Sequence, residues 1–525
     1  MRRAVDRFGP DGVLITSFSR AAAAELAGRD LPVTHDRIGT LHSHCWHALG
    51  GPEVAEAHVE EWNKDNPELT ITPVKKQGKL DGEESGGDEL EAEKRGDELL
   101  GELNRLRGMM TPIRVGWCTD SVVAFAKKWT EYKDENGLMD FTDLIENCLR
   151  DVPFAPRRPS VIFADEAQDL NRMQLTLVRK WGERANFFVV AGDDDQTIYT
   201  FTGATPDAML DPEIPEDHKI VLKQSYRVPR QVHGFAETLI RKVTRRQEKE
   251  YLPRPAEGAV KRFARDSYMQ TEYDILKSAI EHMERGQKVM FLASCAYMLQ
   301  SLVAVLRKNG IPFHNPYRRT NGFWNPLKIG NRTSTAGRVL ALLIGHPDAG
   351  AAHRAWTNED LALWGEVLLT KGLFRPGVKT AKLKAGNAFD EVKMERLDEL
   401  FEPEALASFV DAWEGSYREL LTWWRDRLNA DVRKRAAFPV LVAEKRGPQA
   451  LAEIPHAIVG TIHSVKGGEA DVVYLFPDLS QAGGLQYGRV GGPRDSVIRQ
   501  FYVGATRARE KLYICRQATS MAIPL

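Results

Sequence analysis

The 525-residue chain carries 72 Lys plus Arg against 73 Asp plus Glu, a formal net charge of -1, with 42% hydrophobic and 9% aromatic residues. At ~150 residues per domain this length implies roughly three to four domains and excludes a single recognition module. Balanced charge excludes a uniformly basic surface, so binding nucleic acid requires a local positive groove.

The five cysteines at 45, 118, 148, 295 and 515 form no CxxC pair, which disfavours a disulfide scaffold. No apolar run reaches the ~18 residues of a membrane span, and the N-terminus lacks a cleavage-like site. The expectation is a cytoplasmic protein without membrane contact.

In chain order, VLIT at 13–16 predicts a strand, and SFSRAAAAELAGR predicts a helix over 20–29 behind capping serines. A mixed helical stretch runs to about 150, broken at 78–98 by an acidic polar segment that reads as a surface excursion. SVIFADE at 160–166 and NFFVVAGDDDQ at 186–196 are apolar runs ending in acids, with a helical QLTLVRKWG between them. That plan predicts a parallel sheet whose ligands meet the strand ends.

After VLKQSYR at 221–227 comes a basic run, Arg230, Arg241, Lys242, Arg245, Arg246 and Lys249, up to prolines near 253–255. A strand and helix at 287–310 open a second α/β domain, and residues 326–445 read as helical. Trp423 and Trp424 point in different directions on one helix, so at least one is assigned to core. Strands return at 457–476, followed by a glycine-rich loop at 483–492 and a final FYVGATRAREKLYIC. The helical block is therefore read as an insertion into the second α/β domain.

The strand ending in Asp165 and Glu166 is suited to nucleotide chemistry, Asp165 holding magnesium and Glu166 activating water; the alternative is acids that merely solvate a sheet edge. Asp169 is assigned to positioning or to capping the next helix. Gln196 is placed to sense a terminal phosphate. Phe201 offers either a stacking face for a base or, with Tyr199, filling for a domain seam. Asp193, Asp194 and Asp195 read as a solvated acidic turn or a poorly specified metal cage.

His463, Ser464, Lys466 and Glu469 share a loop between two strands, where Lys466 lacks the spacing of a phosphate-loop lysine. Arg507 and Arg509, behind a strand, are surface arginines or stabilisers of transferred charge. His42, His44, Cys45 and His47 lack the second ligand pair of a structural zinc site, so no zinc is expected. Ser43 has no Gly-x-Ser-x-Gly setting, which leaves a serine-hydrolase assignment unsupported.

Taken in order, SFSRAAAAEL, GTLHSHC, MDFTDLI, VIFADEAQDLN, GDDDQTIYTFTGA, QSYR, TIHSVKGGEADVVYL and YVGATRAREKLY resemble the UvrD/Rep/PcrA-like family of superfamily 1 DNA helicases. The resemblance implies an α/β fold of two RecA-like P-loop NTPase-type motor domains, each with a largely helical insertion. The first motor domain would comprise 1–44 with 158–218 and the second 219–325 with 446–525; the accessory domains would be 45–157 and 326–445.

The implied activity is ATP-dependent translocation, usually 3′ to 5′, on single-stranded or partial-duplex DNA, with ATP and magnesium as cofactors and replication or repair proteins as partners. Inside a cell this implies a cytoplasmic, nucleoid-associated protein, in the host cytoplasm if phage-encoded. Carried residue by residue, Asp165 is the magnesium-side acid, Glu166 the base, Gln196 the phosphate sensor, and Arg227 with Arg507 the charge-stabilising pair. Tyr226 lines the adenine pocket, Glu469 the ribose side, and Phe18, Arg20, Ser43, Phe201 and His463 face DNA.

Two departures from the family pattern modify these expectations. Thr202 stands where the family presents an arginine, which implies altered coupling between nucleotide and DNA. The Gly-rich phosphate loop GxxGTGKT is absent ahead of VLIT, where MRRAVDRFGPDG resembles the end of the helix that follows it. Without that cradle, the expectation is weak or absent autonomous ATP hydrolysis, the alternative function being an ATP-incompetent DNA-binding or regulatory protein.

Overall fold

The computed structural model describes residues 1–18, 28, 32–73, 94–318 and 322–525. A first parallel sheet is built from β1 (Val13–Ser17), β2 (Ile38–Thr40), β3 (Val161–Asp165) and β4 (Phe187–Val190) in the order β2-β1-β3-β4. Every residue of β1 is buried, as the uninterrupted apolar run requires of a strand covered on both faces. Its register sets Ser17 beside Asp165, so the sheet presents its acidic chemistry at one C-terminal edge.

Two short parallel strands, β5 (Gln224–Pro229) and β6 (Leu252–Arg254), precede a larger sheet. That sheet contains β7 (Ala259–Arg262), β8 (Val289–Ala293), β9 (Phe313–His314), β10 (Ala457–Thr461), β11 (Ala470–Leu475) and β12 (Ala508–Ile514), all parallel, in the order β7-β12-β11-β8-β10-β9. β9 and β10 pair directly although the chain between them leaves the sheet. The second domain is thus interrupted by a separate helical body.

That body has its own core, where Trp364 stacks on Phe401 and Phe409 with interplanar angles of 8° and 12°. Trp423 and Trp424 are both buried, at 5% and 0% exposure, so the pair serves the core as expected. Their helix, Tyr417–Asp426, starts with a capping box in which Ser416 and Glu419 satisfy each other's backbone N–H groups. A smaller helical insertion between β2 and β3 packs Trp62 edge-on against Trp129 and Phe125. Each fully buried side chain of this size contributes about 1.5–3 kcal/mol.

Four expectations from sequence need correction or restriction. All of the 20–29 helix except residue 28, and most of the 78–98 segment, lie outside the described residues, but Arg95–Gly108 is helical, so the end of that segment is helix. The expected glycine-rich loop at 483–492 is largely helix, Gln481–Gly488, because Ser480 accepts from Gly483 N at 3.1 Å and caps it. FYVGA continues the buried helix Gly492–Ala505, so Arg507 lies in the turn before β12 and not behind a strand. A fully buried apolar run has no amphipathic period by which to distinguish helix from strand.

One edge of the first sheet is unusual for so apolar a strand. On β4, Phe187 and Val189 are 48% and 40% exposed, and Ile220 and Leu222 nearby in sequence to β5 are 87% and 86% exposed. No helix among the described residues is long and apolar enough to cross a membrane.

Candidate functional site

β3 delivers Asp165 to the sheet edge, and the chain then turns through Glu166 in the left-handed conformation, φ 51°. An L residue adopts this conformation at a cost, and here it starts the turn that exposes the carboxylate. Glu166 accepts from Gln168 Nε2 at 2.6 Å, and Gln168 Oε1 accepts from Asp193 N at 3.1 Å. Gly192 permits this approach, because a Cβ there would stand 2.2 Å from Gln168 Oε1. Gln168 thus ties the ends of β3 and β4 together.

The three aspartates after Gly192 are not a solvated turn. Lys249 Nζ lies 2.5 Å from Asp193 Oδ1, 2.6 Å from Asp194 Oδ1 and 3.1 Å from Asp195 Oδ2, while Arg246 donates to both Asp195 oxygens at 2.9 and 2.6 Å. Asp194 and Asp195 are buried, and their charges are matched by the basic run that follows β5. Their oxygens lie close enough together for a cation, but Lys249 and Arg246 already satisfy them. Arg246 and Lys249 are therefore committed to protein contacts.

From the second sheet, Arg507 reaches across to Gln196, donating from Nη2 to Oε1 at 3.2 Å. Arg507 is 1% exposed, and no carboxylate among the described residues lies within ion-pair distance of it. Burial, with the Arg227 charge beside it, lowers its pKa to about 9. Arg227 Nε is also buried without a hydrogen-bond partner. Two guanidinium groups therefore converge without an ion pair among the described residues, Glu166 being the opposing charge that acts on Arg507.

Beside them opens a cleft of about 410 Å³, lined by Tyr226, Arg227, Tyr251, Glu469 and Arg509 among others. Tyr226 is 87% exposed, a ring face available to a ligand. Glu469 pairs with Arg509 at 2.6 Å. Lys466, on the same loop as Glu469, turns into the first domain and donates to both Asp169 oxygens at 2.6 and 2.5 Å. Asp169 therefore does not cap the next helix; Asn171 does, through a capping box with Gln174.

An aromatic group lies on the other side of the Gln196 segment. The Phe18 and Tyr199 rings are 5.1 Å apart, Tyr199 lies 6.0 Å from both Phe201 and His463, and Phe201 meets His463 edge-on at 5.4 Å. Phe201 is 52% exposed. His463 Nε2 lies 3.1 Å from the Ile198 carbonyl oxygen, and burial lowers its pKa to about 4. Tyr199 lies in the domain seam, its hydroxyl donating to the His463 carbonyl at 3.2 Å, while Phe201 keeps an exposed face.

Ser43 sits in the first turn of Leu41–Ala48, behind the Thr40 cap. Arg20 lies outside the described residues. His44 Nε2 lies 3.1 Å from the Ile15 carbonyl oxygen and Cys45 is fully buried, which accounts for two of the crowded residues at 42–47 without a metal. Sequence reasoning overlooks Gln168 and Tyr251, and it gives Lys249 only as one of a basic run. Gln168 carries a signal, an amide two positions beyond an acid at a strand end.

The UvrD/REP helicase N-terminal domain matches residues 4–214, and the UvrD-like helicase C-terminal domain matches residues 456–515. The chain belongs to the UvrD/PcrA-like family of superfamily 1 helicases. Its two sheets are the family's RecA-like α/β domains, each carrying a helical insertion.

Among curated helicases, the ATP-dependent DNA helicase PcrA of Staphylococcus epidermidis is 27% identical over 212 residues, 38% of this chain and 29% of that protein. PcrA of Staphylococcus aureus is 26% identical over 197 residues, 36% of this chain and 27% of that protein. The chain therefore aligns with less than a third of the length of these relatives.

Proposed function

We propose that this chain is an ATP-dependent DNA translocase or helicase, moving 3′ to 5′ on single-stranded DNA, with the nucleotide bound between its two sheets. The observation that carries this reading is the convergence of Arg507, fully buried, and Arg227, partly buried, neither of them in an ion pair among the described residues, toward Gln196 and Glu166. A buried cation lacking a countercharge is costly unless an anion completes it, and a triphosphate supplies that anion. Asp165 and Glu166 add hard oxygen donors suited to magnesium.

ATP with magnesium supplies the phosphoryl group and the charge that the cleft holds. Asp165 would bind the metal, Glu166 would take a proton from the attacking water, and Gln196 would orient the terminal phosphate. Arg227 and Arg507 would offset charge as it moves onto the leaving oxygen. Tyr226 would stack on the base and Glu469 would meet the ribose. Phe18, Phe201 and His463, with Arg20 and Ser43 on the backbone, would bind DNA without sequence preference.

Tyr199 supports coupling between the two sites, since it touches the aromatic group while its segment continues from Gln196. The natural setting of such a motor is the cytoplasm, with replication or repair proteins as partners. Steady-state hydrolysis by the purified chain, with and without single-stranded DNA, tests the reading. DNA-stimulated turnover abolished by Glu166→Gln supports it; single-strand binding indifferent to nucleotide, with no turnover, replaces it by an ATP-incompetent DNA-binding function.

A further inference from the structure

The Gln196 amide is fixed at both ends by groups of opposite hydrogen-bonding character. Its Nε2 donates to Asp193 Oδ2 at 2.8 Å, and its Oε1 accepts from Arg507 Nη2 at 3.2 Å. A carboxylate only accepts and a guanidinium only donates, so one orientation of the amide satisfies both. The other Asp193 oxygen is held by Lys249 Nζ at 2.5 Å. Lys249 overcomes the effect of burial and keeps the Asp193 carboxyl below its usual pKa range, so the acceptor remains charged.

Lys249 belongs to a strap fastened to the second domain. Asp495, on the helix Gly492–Ala505, accepts from Thr244 Oγ1 at 2.7 Å, and Arg499 of that helix donates to the Arg245 carbonyl at 2.5 Å. The strap in turn grips the first domain through Arg246 on Asp195 and through Gln247 N on Asp194 at 2.7 Å. The Asp193–Gln196 bond lies within the first domain, but Arg507, which holds the other end of the amide, and Lys249, which holds Asp193, both come from the second. Separation of the domains would remove Arg507 and Lys249 together.

We infer that Asp193, held by Lys249, is a positioning residue that sets the Gln196 amide for phosphate contact only when the strap 244–249 is engaged. Domain engagement and sensor geometry are then one event, and the acidic turn is part of the nucleotide machinery without touching the nucleotide. The inference rests on the ATP-hydrolysing reading above.

Asp193→Ala, Lys249→Ala, Lys249→Arg, Gln196→Ala and the Asp193→Ala/Gln196→Ala double variant test it. For DNA-stimulated hydrolysis, Asp193→Ala and Lys249→Ala are expected to lower kcat about tenfold or more with KM for ATP within about threefold. In the Gln196→Ala background, Asp193→Ala should change kcat by less than about twofold, because its effect passes through that amide. Lys249→Arg should retain most of the parent rate.

A second readout needs no turnover. In protein carrying isotope-labelled glutamine, the Gln196 side-chain amide signal, assigned by its loss in Gln196→Ala, should move in Asp193→Ala and Lys249→Ala and stay in Lys249→Arg. Fully additive losses in the double variant, or an unmoved amide signal, overturn the positioning role. A parent chain with no turnover overturns the hydrolytic reading instead, and the amide signal still decides whether Asp193 and Lys249 set Gln196.

Discussion

Lys466, from the loop after β10, places its ammonium 2.5 Å from Asp169 Oδ2, in the turn after β3. The same nitrogen donates to the Gln196 carbonyl at 2.8 Å, so one side chain joins the second domain to both loops of the first. Burial raises the Asp169 pKa from 3.8 to about 7 despite Lys466. With its folded value above the unfolded one, Asp169 contributes stability at acid pH that is lost as pH rises from about 4 to 7.

Replacing Lys466 by Met removes the countercharge and should raise that carboxyl further. The stability deficit of the variant should then be small at pH 5.5, where Asp169 is protonated in both proteins, and grow toward pH 8.5 by up to about 2 kcal/mol. Denaturant unfolding at the two pH values measures it. A deficit independent of pH would show that the pair carries no charge at neutrality.

The half-exposed Phe201 ring predicts a defect confined to DNA. Phe201→Ala should weaken single-strand binding by about 1–3 kcal/mol, the worth of one stacked base, with no change in thermal stability beyond about 0.5 kcal/mol. Fluorescence anisotropy with a labelled oligonucleotide reads the first and calorimetry the second. Unchanged affinity would assign Phe201 to the domain seam.

His463 predicts a pH profile. Its folded pKa, lowered from 6.5 to about 4 by burial, keeps the ring neutral at physiological pH. DNA affinity should therefore show no histidine transition between pH 6 and 8. Stability should fall between about pH 6.5 and 4, because the unfolded state binds the proton first. A binding transition near pH 6.5 that disappears in His463→Asn would contradict this.

In the smaller helical insertion, Asp140 accepts from Arg107 at 3.0 Å, Lys133 at 2.6 Å and the Trp129 indole at 3.0 Å, while fully buried. Burial alone would raise its pKa, but Arg107 and Lys133 lower it to about 2. Asp140→Asn should cost about 2–3 kcal/mol at pH 7, because Arg107 and Lys133 lose their buried shared charge and keep Asp143 as the remaining one. Its contribution is complete above the ordinary aspartate range and is lost as pH falls toward 2. Urea titrations of parent and variant at pH 7 measure the difference.

The edge of β4 predicts association. An apolar parallel strand with Phe187 and Val189 at 48% and 40% exposure offers unpaired backbone and side chains to another strand. Sedimentation velocity should show concentration-dependent assembly of the chain, reduced by Val189→Lys. Identical monomeric behaviour of parent and variant would mean that this edge is inert.

Local order made most of the site legible. The runs VIFADE and NFFVVAGDDDQ each place acids just beyond an apolar strand, and the parallel sheet sets Asp165 and Gln196 on one edge, as that pattern requires. Arg507 was recognised by its motif, but its placement was misjudged, because FYVGA packs on every side and shows no helical period. The aspartates after Gly192 were misread for a different reason. Their partners, Arg246 and Lys249, lie about fifty residues away, and charge pattern in sequence does not reveal which distant charges will meet.

The sequence by itself determined the strands, the acids at their ends and the family, since each depends on residues adjacent in the chain. Tertiary structure decided what those residues touch. It made Lys466 the partner of Asp169 and the acidic turn the fixed support of Gln196, and it brought two arginines distant in sequence together without an ion pair among the described residues. Burial and opposing charge act through space, so only the folded chain sets them.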